Sequence, residues 1–356
     1  MSEAERLDPE RIRQGLRRGL WSVGIGLAVI VLAAVAIRGT EWGDEEIQAL
    51  IQQADPGMLA LSLLTICGAF CFMGPRWRAL MPPPHQPPAF GLTAIICSGL
   101  LLNYAMPGPL GEVAAAWFAQ RRYKVPLSDG LASGVAARMM GLATAALMAL
   151  VIWLLVDLPQ PTEKAEILRT TEWLIPIAAL SIGAGGLALF WLAWKPHWWR
   201  RLSHRLLGGW AGDGRLATIA RRIDGGVGTL AEALERVARR GIVPYLRAAG
   251  WSICAHSGVI LGIYIAASGL GAEANLAGLS FTYVATTAGA VALFALPGSQ
   301  VGWDFMFFSL LIAAAGLPAP VAAAVAVLVR VQQLTMMLLG AAALGWLLRN
   351  AAPTSS

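Results

Sequence analysis
Four ionisable residues stand where apolar sequence should exclude them: Glu112, Arg138, Asp304 and Arg330. Glu112 closes a stretch, Ala89 to Gly111, that contains no charged residue. Arg138 and Arg330 lie inside long apolar runs, each 12 residues after a proline, Pro126 and Pro318. Twelve residues of helix rise about 18 Å, well inside a hydrocarbon core of about 30 Å. A charge at that depth is costly and marks a functional candidate by default. The signs balance, so the simplest arrangement pairs each acid with an arginine on a neighbouring long helix. An arginine fork suits a phosphate, and the N-terminus of a half-helix also attracts anions. The four residues could therefore line a polar cavity that accepts a charged lipid headgroup. The competing reading is architectural: an acid in a first helical turn satisfies free amides and the helix dipole. His256, beside Ser257 in another apolar run, reads first as a neutral ring bonded to a carbonyl and second as a proton carrier. Asn103, Gln332 and Gln333 read as cavity lining or interhelical hydrogen bonds.

Both acids sit beside breaks in the chain. Pro107, Gly108, Pro109 and Gly111 precede Glu112, and Pro297, Gly298 and Gly302 precede Asp304. Proline removes a backbone donor and glycine loosens the chain, so no continuous helix is expected to cross either place. Broken backbone at membrane depth must be buried in protein or line a watery cavity. Glu112, Pro126 and Arg138 recur as Asp304, Pro318 and Arg330 at one constant offset of 192 residues (304−112), and Val135 and Val327 share it. That pattern points to a degenerate internal repeat, a common way of building transporters.

The surrounding sequence is that of an integral membrane protein. It is 57% hydrophobic and 13% charged, against about 25% charged in soluble domains. Uncharged runs predict full spans at Leu20–Ile37, Pro56–Gly74, Pro126–Val156, Trp173–Trp194, Ala248–Gly271 and Pro318–Leu348. Residues 89–122 and 276–315 read as broken hairpins that enter and leave by one side. The expected fold is therefore all-α and polytopic, with about six full transmembrane helices plus two re-entrant hairpins. Residues 1–19 form a basic N-terminus, 20–348 the membrane domain, and 349–356 a tail. The repeat halves lie around 89–156 and 276–348. Three full spans separate the hairpins, which makes the repeat inverted.

The net charge of +6 does not mark a nucleic-acid partner, because the basic residues follow the membrane. With both termini cytoplasmic, segments 1–19, 75–88, 119–125, 195–247 and 349–356 hold 22 of the 27 Lys and Arg. That bias is the positive-inside signature and predicts a prokaryotic plasma (inner) membrane. Segment 195–247 is the largest extramembrane piece. Its Leu216, Ile219, Ile223, Val227, Leu230, Leu234 and Val237 form a helical stripe, loosened at Gly225, Gly226 and Gly228. Such a stripe suits a helix on the anionic leaflet or a homodimer contact. The four cysteines, Cys67, Cys71, Cys97 and Cys254, lie in apolar runs without metal-ligand spacing. No catalytic or nucleotide-binding motif is present, so neither a cofactor nor a metal is expected.

The breaks resemble a known family. Asn103-x3-Pro107-x3-Gly111-Glu112 resembles the N…P…GE signature of the lysylphosphatidylglycerol synthase transmembrane-region family of flippase-like proteins. Pro297-Gly298 through Asp304, then Gly316-Leu317-Pro318 and Arg330, resembles its second PGGxGxxE…R stretch, with Ser299 for a glycine, Gly302 displaced by one and Asp304 for a glutamate. Arg138-Met139-Met140 also lacks the acidic partner of the family's E-R-x-x-D pattern. The resemblance spans roughly residues 20 to 348 and implies movement of lipids between leaflets. Stand-alone relatives are linked to glycolipid and hopanoid pathways. No synthase domain follows, so aminoacyl transfer is not expected. The reading that follows is a lipid flippase whose partners are membrane lipids. The alternatives are a membrane enzyme acting on a lipid-linked substrate, and a scaffold for a lipid-synthesis enzyme docked through 195–247.

Overall fold
Helices that are apolar around most of their circumference leave large side chains facing outward. Leu64, Leu155, Phe305 and Trp346 are all more than 60% exposed, which suits lipid rather than water as the outer solvent. The computed structural model describes residues 50, 52–105, 110–156, 215–293 and 299–349, with isolated positions at 195, 198, 201, 202, 204 and 205. The spans expected at 20–37 and 173–194, both termini, and Pro107, Gly108, Pro109, Pro297 and Gly298 lie outside these residues.

Among the described residues the fold is helical, without strands. In chain order the helices are α1 (Pro56–Cys71), α2 (Met73–Leu80), α3 (Ala89–Ala105), α4 (Leu110–Tyr123), α5 (Leu127–Leu155), α6 (Arg215–Ala238), α7 (Ile242–Gly269), α8 (Leu276–Leu293), α9 (Ser299–Ala313) and α10 (Ala319–Arg349). Four stretches are long and apolar enough to cross a membrane: α1 with α2, α5, α7 and α10. The paired helices α3/α4 and α8/α9 are shorter, at most 18 residues. At 1.5 Å per residue the longest of them rises about 27 Å.

Small residues bring the helices together. Along α1 and α7, a Cβ added at Gly258 would meet the Ala69 Cβ at 2.8 Å, and one at Gly262 would run into the Ile66 side chain. The Ser62 hydroxyl crosses the same seam and donates to the Gly262 carbonyl at 2.7 Å. Close backbone approach with a hydroxyl across it is how helices associate where lipid removes the hydrophobic driving force. Gln332 of α10 joins this node by donating to Ser62 Oγ at 2.8 Å. A larger apolar core of Phe281, Phe307, Leu279, Leu311 and Ile263 fills the space between α7, α8, α9 and α10.

The second span does not stop at Gly74. After a one-residue hesitation at Phe72 the chain turns helical again and continues to Leu80. Pro75 is tolerated because it falls in the first turn of α2, where an amide needs no partner within the helix. The Cys71 carbonyl, which an ordinary amide at 75 would have capped, instead accepts from the Thr93 hydroxyl at 3.2 Å. Arg76 and Arg78, expected in a cytoplasmic loop, are therefore helical.

Residues 215–238 form one uninterrupted helix, α6, which runs straight through Gly225, Gly226 and Gly228. The C-terminal part of its stripe is engaged within the protein. Leu234 and Val237 are buried and, with Leu230, pack in one cluster with Leu80, Met81, Val125 and Ala248. Arg236 pairs with Asp129 at the start of α5, 2.6 Å apart. Arg240 donates to the Met81 carbonyl at 2.6 Å and the Ala79 carbonyl at 3.2 Å, satisfying the open end of α2. Gly241, at φ +78, makes the turn into α7, which begins at Ile242 rather than Ala248. The left-handed backbone there favours glycine.

The two short pairs are packed reciprocally. α4 lies on α5 and α9 on α10, while α3 lies on α10 and α8 on α5. Each pair thus touches its own following long helix with one member and the other long helix with its other member.

Candidate functional site
The site is built at the break between α3 and α4. Asn103, near the end of α3, spans it: its amide oxygen accepts the Gly111 N–H at 2.6 Å, and its NH2 lies 3.3 Å from both Glu112 oxygens. One side chain thereby caps α4 and aims the first acid. The neighbouring glycines serve close approach rather than the break itself. A Cβ on Gly111 would collide with the Gly99 carbonyl and Asn103 Oδ1. Gly111 and Gly302, expected as parts of the breaks, are in fact helical, inside α4 and α9.

Glu112 sits in the first turn of α4 and forms an ion pair with Arg138 of α5, with side-chain exposures of 16% and 25%. The pairing reading is thus present at Glu112, while the amide cap of α4 comes from Asn103. Against this pair opens a cavity of about 220 Å³. Its polar lining comes from Asn103, Glu112, Arg138, Arg76, His256, Tyr283 and Thr287. The wall contains two arginines and one carboxylate, an excess of one positive charge.

His256 is 5% exposed. Its Nε2 lies 2.9 Å from the Gly141 carbonyl, so that nitrogen carries the proton and donates. This is the simpler of the two sequence readings. The other nitrogen, Nδ1, is buried with no hydrogen-bond partner. Tyr283 tilts against the imidazole with ring centroids 5.8 Å apart.

Arg76 is the residue that the sequence reading missed. Its guanidinium occupies the space that a side chain at Gly141 would fill, and its Nε is buried without a partner. A signal existed: Met73, Arg76, Trp77 and Leu80 recur at helical spacing, and Trp77 and Leu80 are at most 2% exposed. Reading Pro75 as the end of a span hid it.

Asp304 and Arg330 form the second ion pair, with Arg330 Nε donating to Asp304 Oδ1 at 3.0 Å. The Arg330 guanidinium also reaches Gln333 Oε1 at 3.0 Å and lies 4.8 Å above the Trp303 ring. This pair does not line the cavity. Asp304 is the sixth residue of α9 rather than a first-turn acid, so capping does not explain it. The structure brings Asn103, Glu112, Arg138 and His256 together and leaves Asp304 and Arg330 as a separate pair.

A helical bundle with an apolar exterior, four stretches long and apolar enough to cross a membrane and an ion-paired cavity between α3, α4 and α5 marks a multi-pass membrane protein. The chain belongs to the lysylphosphatidylglycerol synthase TM region family, whose model matches residues 19–341. Comparisons with curated proteins and with solved structures gave no match.

Proposed function
We propose that this protein moves a lipid between leaflets, the headgroup crossing through the cavity while the acyl chains stay in the bilayer. The observation that carries the reading is a charged cavity of about 220 Å³ at a helix break, inside a bundle whose outer face is apolar. Polar groups of that kind are retained in membrane interiors for substrate or ion pathways. The reciprocal packing of α3/α4 and α8/α9 is what an inverted repeat would produce, and such repeats place a substrate site between halves. The basic residues favour cytoplasmic termini in a prokaryotic inner membrane. The sequence has no nucleotide-binding loop, so movement runs down a gradient or is coupled to ions. The lower half of the α6 stripe is packed internally, so a homodimer or synthase contact through 195–247 would use other surfaces of that segment.

The test is leaflet exchange in liposomes containing the full-length protein and a panel of labelled anionic, zwitterionic and glycolipid probes. Exchange of at least one probe should accelerate, and Arg138→Ala, whose side chain lines the cavity, should slow it more than Arg330→Ala, whose side chain does not, while the detergent-purified variants elute as folded protein. No acceleration of any probe, with or without a proton gradient, would refute transport and leave a membrane enzyme on a lipid-linked substrate as the better reading.

A further inference from the structure
Three side chains inside the bundle have the chemistry to exchange a proton, and their surroundings differ. His256 Nε2 holds its proton against the Gly141 carbonyl, 2.9 Å away, and Nδ1 is buried beyond the reach of water. Glu112 is 16% exposed and is held from two directions. Arg138 pairs with it, and the Asn103 NH2 lies 3.3 Å from each of its oxygens. A proton on Glu112 would cancel the carboxylate of the cavity and leave Arg76 and Arg138 in its wall without a counter-charge.

Asp304 is held differently. Its side chain is 36% exposed, and the contacts from Arg330 Nε and Nη2 both fall on one oxygen, Oδ1. Among the described residues no hydrogen bond reaches Oδ2. Arg330, in turn, does not depend on this acid alone. Its Nη1 donates to Gln333 Oε1 at 3.0 Å, and its guanidinium lies 4.8 Å above the Trp303 ring. A neutral acceptor and an aromatic face hold a cation without a counter-charge. Neutralising Asp304 therefore leaves Arg330 with partners, whereas neutralising Glu112 strands two arginines. α9 packs chiefly against α8 and α10. The ionisable residues on those helices are Tyr283, which lines the first cavity, Arg330, and Arg349, about 28 Å further along α10. Arg330 is thus the charged group that faces Asp304.

We infer that Asp304 is a proton-binding site whose protonation unlocks α9 from α10. A proton from water adds to Oδ2, the carboxyl becomes neutral, and Arg330 shifts its hold to Gln333 and Trp303 while keeping all of its own protons. The proton returns to water when the ion pair re-forms. The Glu112–Arg138 pair stays ionised throughout. As the coupling site of a lipid transporter, Asp304 rests on the function proposed above. As a proton site it stands on the geometry of the second pair, and the experiment separates the two.

Dicyclohexylcarbodiimide, an apolar reagent that attacks protonated carboxyls, is added to the full-length protein in a neutral detergent. The modified residues are identified by peptide mass spectrometry. Asp304 should be labelled near neutral pH and Glu112 should not, and raising the pH should abolish the label. Sodium should give no protection. Gln333→Leu removes the other acceptor of Arg330, so the arginine then holds the ionised acid and labelling should fall. Elution volume and far-UV circular dichroism check that this variant folds, but the wild-type pattern alone can overturn the idea. Labelling of Glu112 as readily as Asp304, a label indifferent to pH, or no label on Asp304 would each do so. Protection by sodium would make the site one for a metal cation instead. In liposomes an imposed proton gradient should change the rate of lipid exchange, and Asp304→Asn should lose that response. A pH-dependent label on Asp304 without exchange of any lipid leaves the proton site standing and removes lipid transport. Exchange that ignores the gradient despite the label refutes the coupling.

Discussion
Glu112→Gln is the most informative single change at the site, because it removes a charge and little else. The glutamine oxygen can still accept from Asn103, whose NH2 now lies 3.3 Å from both carboxylate oxygens. What disappears is the counter-charge to Arg138, and the cavity is left with two arginines and no carboxylate. Breaking a fully buried ion pair from one side costs about 3–5 kcal/mol. Here the side chains retain 16% and 25% exposure, and water reaching them reduces the penalty to about 2–3 kcal/mol. Adding Arg138→Gln removes the orphaned cation. The double variant should then be more stable than the sum of the single losses implies, by about 1–2 kcal/mol. Unfolding by graded denaturing detergent, followed by helical circular dichroism, measures all four corners of the cycle. Losses that add to within about 0.5 kcal/mol would show that the two side chains do not interact energetically, and the reasoning would fail.

At the α1/α7 seam, Gly262→Val should destabilise the fold by about 1–3 kcal/mol in the same unfolding assay, because its Cβ meets the Ile66 side chain and, at 3.3 Å, the Ser62 carbonyl. A value near zero would mean that the seam is looser than its geometry. Arg236→Ala removes a half-exposed partner of Asp129 and should cost no more than about 1 kcal/mol, less at high salt, where screening has already weakened the pair. A salt-independent loss would point to packing by the arginine stem instead. Cysteines introduced at 45 and 165 should label from outside intact cells, and those at 122, 213 and 351 only after permeabilisation. External labelling at 122 would overturn a hairpin that returns to the cytoplasmic side.

Much of the site can be read from residue types alone, since a charge in apolar sequence needs no structure to be conspicuous. Glu112, Arg138, Asp304 and Arg330 stood out in this way, and their pairing followed from balanced signs. The helices on either side of the first break fall within two residues of the expected 89–105 and 112–122. Local rules misled where tertiary contacts compensate. Pro75 looks like a helix stop, but it falls in the first turn of α2, and the Cys71 carbonyl it leaves uncapped lies within reach of the Thr93 hydroxyl of another helix, so the chain continues and carries Arg76 to the cavity. Gly111 and Gly302 look like breaks because a glycine chosen for close packing and one chosen for flexibility are the same letter. Nor can spacing along the chain show that Asp304 and Arg330 stay apart from the first pair.

The glycine contacts also divide the bundle by mechanical compliance. At Gly74, Gly99 and Gly111 a Cβ would come within 3 Å of a carbonyl oxygen on the neighbouring helix, and at Gly258 it would come as close to the Ala69 Cβ. Helices nested that closely cannot slide by a residue without driving side chains into backbone. Along α5 the contacts are of another kind: a Cβ at Gly130 would sit 3.4 Å from Ala116, and one at Gly134 3.5 Å from Trp77. These are ordinary van der Waals spacings, and at Gly141 the only obstacle is the flexible end of Arg76. The glycine contacts of α5 are thus looser than those of α3, α4 and α7. Because α5 bears Arg138 while Glu112 lies on the closely nested α3/α4 pair, a shift of α5 along its own axis would shear that ion pair.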